Sequence, residues 1–99
     1  PYLVYFWAIW SPVCTMICRI LEEIDKKYRH RLQVGTVNVD NEIRITNDYR
    51  INNIPTLILF KKGKEVERIV GSISKDLLVR KVRAYLGKKD LENTTKGVK

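Results

Sequence analysis

The 99-residue chain has room for one small domain, burying roughly 60–65% of its unfolded surface around a single core. Apolar residues are 44% of it and charged residues 30%, which excludes a disordered or membrane-spanning composition; the longest apolar stretch, Tyr2 to Trp10, is about half a bilayer span. The net charge of +8 favours acidic partners, yet the basic residues are dispersed along the chain, so they read as solvated helix and turn faces and not as a nucleic-acid surface.

The chain opens on Leu3-Val4-Tyr5-Phe6-Trp7-Ala8, with no basic leader ahead of it. A continuous run of strand-forming residues predicts a strand buried on both faces. Ser11-Pro12 then reads as a helix start, with Ser11 as N-cap and Pro12 where the first helical N–H is unpaired anyway. Apolar spacing at Cys14, Ile17, Cys18, Leu21 and Ile24 carries that helix to about Tyr28 or Arg29. Leu32–Val39 predicts a second strand, and Glu42–Tyr49 a short second helix behind Asp40 and Asn41. Thr56–Phe60 and Glu65–Val70 are strands joined by a Lys62-Gly63 hairpin turn. Ser74 caps a last helix over Lys75–Leu86 with Leu77, Leu78, Val82, Tyr85 and Leu86 on or near one face; Gly87 stops it, and a polar tail follows from 88 to 99. The expected order is β-α-β-α-β-β-α, an α/β domain over 1–87. Its first two strands are parallel through a helical crossover, and its last two form an antiparallel hairpin.

Two cysteines, Cys14 and Cys18, are too few for a disulfide scaffold and fit a reducing compartment, cytoplasm or an organelle stroma. They stand four residues apart, so both thiols project from one helix face, one turn from each other. The open readings for Cys14 are a redox thiol or an inert buried cysteine. For Cys18 they are a small core residue, which is favoured, or half of a displaced redox pair. Cα atoms one turn apart fall about 6 Å from each other, inside the bridging range, but the Cβ atoms start farther apart than the roughly 3.8 Å of a relaxed disulfide, so the first turn has to distort. His30 has no ligand cluster around it, and no metal site is expected.

The element order, with Phe6-Trp7-Ala8-Ile9-Trp10 leading into the first helix, Asn38-Val39-Asp40 ending the second strand, Ile54-Pro55-Thr56-Leu57 opening the third and Val70-Gly71 closing the fourth, resembles the thioredoxin family. The match runs from Leu3 to Leu86 without insertion or deletion. Family members usually carry a further strand and helix ahead of these residues, so what remains corresponds to a minimal core with a four-stranded mixed sheet flanked by helices.

The resemblance implies a Cys-x-x-Cys site after Trp10, whose leading thiolate is the nucleophile, stabilised at a helix N-terminus, and whose second cysteine resolves the mixed disulfide. This chain has Ser11-Pro12-Val13-Cys14 there. Ser11 cannot form a disulfide, and Cys14 holds the resolving position. Tyr5 and Thr36 stand where many relatives carry a buried aspartate and a lysine, so the usual proton relay is gone. Arg19 replaces a helix-kinking proline.

The substrate-holding residues remain. Pro55 resembles the family's cis-proline, beside a backbone at Ile54 that pairs with extended peptide. Trp10, Ser11, Pro12, Val13, Ile54, Pro55 and Gly71 would line the substrate groove. The implied activity is thiol–disulfide exchange, weakened or atypical, through Cys14 alone or with Cys18. Protein or peptide thiols and disulfides are its partners, a thioredoxin reductase is its reductant, and it needs no cofactor, nucleic acid or membrane. The alternative is a redox-inactive module that binds peptide or protein through the same groove; a third reading makes Ser11 a substitution in an ordinary enzyme. A sheet edge left uncovered by the absent strand would allow a dimer as well as a monomer.

Overall fold

A computed structural model describes residues 1–86, and the helix stop at Gly87 and the tail from 88 to 99 lie outside them. The elements are β1 (Tyr2–Trp7), α1 (Val13–Lys27), β2 (Gln33–Asn38), α2 (Ile43–Asp48), β3 (Thr56–Lys61), β4 (Lys64–Val70) and α3 (Lys75–Tyr85), in the order anticipated. The sheet runs β2-β1-β3-β4. β1 and β2 are parallel, with Tyr5 opposite Thr36, because the α1 crossover returns the chain in the same direction. β1 and β3 are antiparallel, with Tyr5 opposite Leu57; so are β3 and β4, with a register shift at Leu59/Phe60. Lys62 and Gly63 both take positive φ, 53° and 77°, the geometry of a two-residue turn that matches strand twist.

Side chains alternate across the sheet, so each face collects its own set. Leu3, Tyr5, Leu57 and Leu59 share the main core with Ile17, Leu21 and Ile24 of α1 and Leu78 and Val82 of α3. In α1 the buried positions are Cys14, Ile17, Leu21 and Ile24, a stripe at intervals of three and four residues. Ser74 caps α3 as its sequence position suggests, its Oγ accepting from the Leu77 N–H at 3.2 Å.

Three expectations are corrected. β1 is not buried on both faces: Tyr2 is 42% exposed and Val4 only half-buried, because the one element on their face is the six-residue α2. Leu77, counted among the apolar positions of α3, is 42% exposed; it sits at the edge of the stripe that Leu78 and Val82 bury. Ser11 is not the N-cap of α1. Pro12 takes that place with helical φ and ψ of −67° and −26°, and no side chain caps the helix. Ser11 lies one residue further back, in a turn where its N–H donates to the Ala8 carbonyl and its own carbonyl accepts from the Cys14 N–H.

Candidate functional site

β1 ends at Trp7 and α1 begins at Val13, so the five-residue connection between them delivers Trp10, Ser11 and Pro12 to one end of the sheet. Trp10 is anchored by its rim: the indole Nε1–H donates to Asp40 Oδ2 at 3.0 Å while the ring stays 65% exposed. Asp40 follows β2, and its N–H donates to the Asn38 side chain, so the Asn38-Val39-Asp40 stretch builds the bracket that holds the indole. In the sequence, Asp40 reads as the end of a strand and the cap of the short helix after it, not as a partner for the indole. The signal was the motif itself, although the pairing joins residues thirty apart.

The loop before β3 comes to the same end. Ile54-Pro55 is a cis peptide, the Pro55 carbonyl accepts from the Gly71 N–H at 2.9 Å, and Gly71 has φ of 88°. Thr56 Oγ1, buried, donates to the Asn53 carbonyl and closes this loop on itself. Trp10 and Ile54 face each other across a hollow of about 320 Å³, lined also by Val39, Thr46, Ile51 and Asn52. Of the groove residues expected from sequence, the structure therefore joins Trp10 with Ile54 and Pro55 with Gly71. Pro12 is exposed and Val13 half-buried at the start of α1, and neither lines that hollow.

The cysteines divide sharply. Cys14 is 4% exposed and belongs to the core; Cys18, one turn on, is exposed. The reading of Cys18 as a small core residue is thus overturned, for the apolar stripe of α1 passes through Ile17 and leaves position 18 on its flank. Both thiols are free.

Beneath them lies Tyr5, fully buried, whose hydroxyl donates to the Cys14 carbonyl at 3.2 Å. Burial first, then the nearby Cys14 and Cys18 thiols, push the phenol far above the usual tyrosine range, so it keeps its proton. Burial alone would raise the Cys14 thiol as well. Hydrogen bonding from the Ser11 hydroxyl, then from Tyr5 and the main chain at Ala8, outweighs it, and the thiol ionises below its ordinary value. Ser11 is 8% exposed, and its side chain caps no helix end.

Among the described residues no three His, Cys, Asp or Glu side chains gather as a metal would need, and no helix is long and apolar enough to cross a membrane. The chain thus sets a cis-proline loop and an exposed indole at one end of a four-stranded mixed sheet, beside a helix whose first turn carries a buried thiol. Comparison with known proteins then identifies the chain: the thioredoxin family model matches residues 1–84, and this protein belongs to the thioredoxin family. It is 37% identical over 86 residues to a chloroplastic M-type thioredoxin of Chlamydomonas reinhardtii, covering 87% of this chain and 61% of that protein. It is 36% identical over 86 residues to thioredoxin 1 of a Nostoc species, covering 80% of that protein. A bifunctional thioredoxin reductase/thioredoxin of Mycobacterium leprae is 41% identical over 80 residues, 18% of its length.

Proposed function

We propose that this domain carries out thiol–disulfide exchange with a relocated pair, Cys18 as the entering thiol and Cys14 as the resolving one. The observation that carries the reading is the division of the two thiols, one exposed and one buried and stabilised, a single helical turn apart. The Cys18 thiolate attacks one sulfur of a substrate disulfide; that S–S bond breaks, and the departing sulfur leaves as a thiolate and takes a proton. The Cys14 thiolate then attacks the Cys18 sulfur, releasing the second substrate thiol and leaving a Cys14–Cys18 disulfide. Substrate gains two electrons and two protons, and the protein is oxidised by the same amount.

Closing that disulfide requires helical neighbours with Cβ atoms about 5–6 Å apart to approach by roughly 2 Å. The start of α1 has little to resist this: it lacks a side-chain cap and has no acidic residue in its first turn. Trp10, Ile54, Pro55 and Gly71 would hold the extended substrate, and the exposed Ile9, Trp10 and Met16 widen the apolar surface around the thiols. The fusion of a thioredoxin reductase to a thioredoxin in the mycobacterial relative supports a reductase of that kind as the partner that returns the electrons. The chloroplastic and cyanobacterial relatives support a stromal or cytoplasmic, reducing location. β2 and β4 end the sheet, and β2 is the edge through which a dimer would form.

Equilibration in graded glutathione buffers, with free thiols trapped by an alkylating agent and intact mass read out, tests the pair. A Cys14–Cys18 disulfide forming at a defined potential is expected. If both thiols stay free across the range, the exchange reading is overturned and the Trp10–Ile54 groove becomes a peptide-binding site without redox chemistry.

A further inference from the structure

Two ionisable side chains of the core, Tyr5 and Cys14, meet at the first turn of α1, while the other buried tyrosine, Tyr28, lies at the far end of that helix. Tyr5 is 0% exposed, Cys14 is 4% exposed, and the phenol oxygen lies 3.2 Å from the Cys14 carbonyl. An α-helix pairs that carbonyl with the N–H of residue 18, so the tyrosine reaches the backbone bond that spans the turn between the two cysteines. It has one proton to donate. With the sulfur as a neutral thiol the carbonyl is the better acceptor; with the sulfur as a thiolate, the charged acceptor is. Few other groups compete for this role. β3 and α3 bring Leu57, Leu59, Leu78 and Val82 to the same cluster, none of them titratable. From the turn before α1 comes the hydroxyl of Ser11, and on α1 itself the titratable neighbours of the phenol are Cys14 and, one turn on, Cys18.

We propose that Tyr5 is a positioning residue for the exchange: its hydroxyl moves from the Cys14 carbonyl to the Cys14 sulfur when the thiolate forms, holding the negative charge on the buried cysteine and freeing the carbonyl end of the turn that must close. This rests on the reading of Cys14 and Cys18 as a working pair. It also separates Tyr5 from a relay base. A phenol that keeps its proton cannot accept one, so Tyr5 stabilises the thiolate without taking the proton that leaves it.

The test is site-resolved NMR on the reduced full chain, with ¹³C in cysteine Cβ and tyrosine Cζ, titrated with pH. In Tyr5→Phe the Cys14 midpoint is expected to rise by about one pH unit, a tenfold loss of thiolate at neutral pH, while the Cys18 midpoint stays in place. An unmoved Cys14 midpoint, or an equal rise at both cysteines, overturns the inference. The unsubstituted protein supplies the second arm, needing no variant that must fold. Its Tyr5 Cζ resonance should step at the Cys14 midpoint although the phenol itself does not ionise, and a flat Tyr5 resonance overturns the proposal. Neither arm requires a disulfide to form, so a negative glutathione series sinks the exchange reading while the tyrosine–thiolate contact is still tested here.

Discussion

Leu3, Tyr5, Leu57 and Leu59 project from one face of the sheet, under α1 and α3, and each is at most 2% exposed. Tyr2, Val4, Phe6 and Phe60 project from the other, where α2 is the one helix and Tyr49, from the residue that ends it, packs its ring near Phe6 and Phe60 at 6.2 and 5.5 Å. That second face keeps Phe6 buried but leaves Tyr2 42% exposed, over a cleft of about 810 Å³. The strands are the same; the difference is the length of helix lying on each side. The fixed face is also the one that carries the cysteine pair, through Tyr5. Chemistry that depends on a hydroxyl placed to within a few tenths of an ångström belongs where side chains have no room to turn.

The largest test of this contrast removes core volume from each face in turn. Leu78→Ala on the packed side should cost about 2–5 kcal/mol, enough to unfold much of a domain this small, because a fully buried leucine leaves a cavity that α3 and the sheet cannot collapse. Val4→Ala on the open side should cost under about 1 kcal/mol, since the half-buried valine already adjoins solvent. Urea unfolding midpoints at matched m-values measure both. Equal losses would mean that the open face is as tightly fixed as the packed one.

Gly71→Ala comes next, at about 1–2 kcal/mol. An added Cβ meets no atom within 4 Å, so the whole cost is the backbone's: φ of 88° is a conformation that L side chains rarely take. The same substitution should loosen the Pro55–Gly71 hydrogen bond, and a larger urea effect than this would reveal packing that the open surroundings of Gly71 do not contain.

An ion pair to α3 on one side and a hydrogen bond to the chain past α2 on the other tie β4 to its surroundings. Glu67 faces α3, where Lys81 Nζ and the Tyr85 hydroxyl donate to its two carboxylate oxygens. Arg68 faces the other way, paired with Glu65 and reaching toward the Arg50 carbonyl just past α2. The Lys81 hydrogen bond, ahead of the burial that opposes it, holds Glu67 below the usual carboxylate range. A depressed carboxylate adds stability above its unfolded value, near pH 4.3, and gives it up as pH falls through the lower folded value. Both partners are partly exposed, so the coupling in a Glu67→Gln/Lys81→Met double-mutant cycle should be only about 0.2–1 kcal/mol at pH 7. It should fade as the pH falls below the unfolded value and the carboxylate takes up its proton. A coupling that persists there would come from packing and not from charge.

Most of this architecture is legible in the residue order. The helical spacing of Cys14, Ile17, Leu21 and Ile24, the paired turn residues Lys62-Gly63 and the cap at Ser74 are local signals, and the structure follows them. The thiol site is legible only in part, since what decides it is not local. Ser11 has every feature of an N-cap, but Pro12 adopts helical angles and takes the cap position, so the serine is left buried in the turn behind it. Cys18 fits the helical apolar period within one position, and only the packing of α1 on the sheet settles that the stripe runs through Ile17. Tyr5 reads as the loss of a charged group. Its hydroxyl can be recognised as a donor only once β1 and the first turn of α1 are placed against each other.

The smallest effect is the most discriminating of the four. Gly35 lies on β2 opposite Val4, and a Cβ built there would stand 2.6 Å from the Tyr2 hydroxyl and 2.8 Å from its ring, closer than a real Cβ approaches a non-bonded atom. On the packed face such a clash would force α1 or α3 to move, at a cost of about 1–3 kcal/mol. On the open face the obstacle is the free end of a 42% exposed side chain, which has solvent to turn into. Gly35→Ala should therefore change stability by less than about 0.5 kcal/mol, with the gain in strand propensity offsetting whatever contact Tyr2 gives up. A loss above about 1 kcal/mol in urea unfolding would show that Tyr2 is pinned, and that the second face is closed over it in solution.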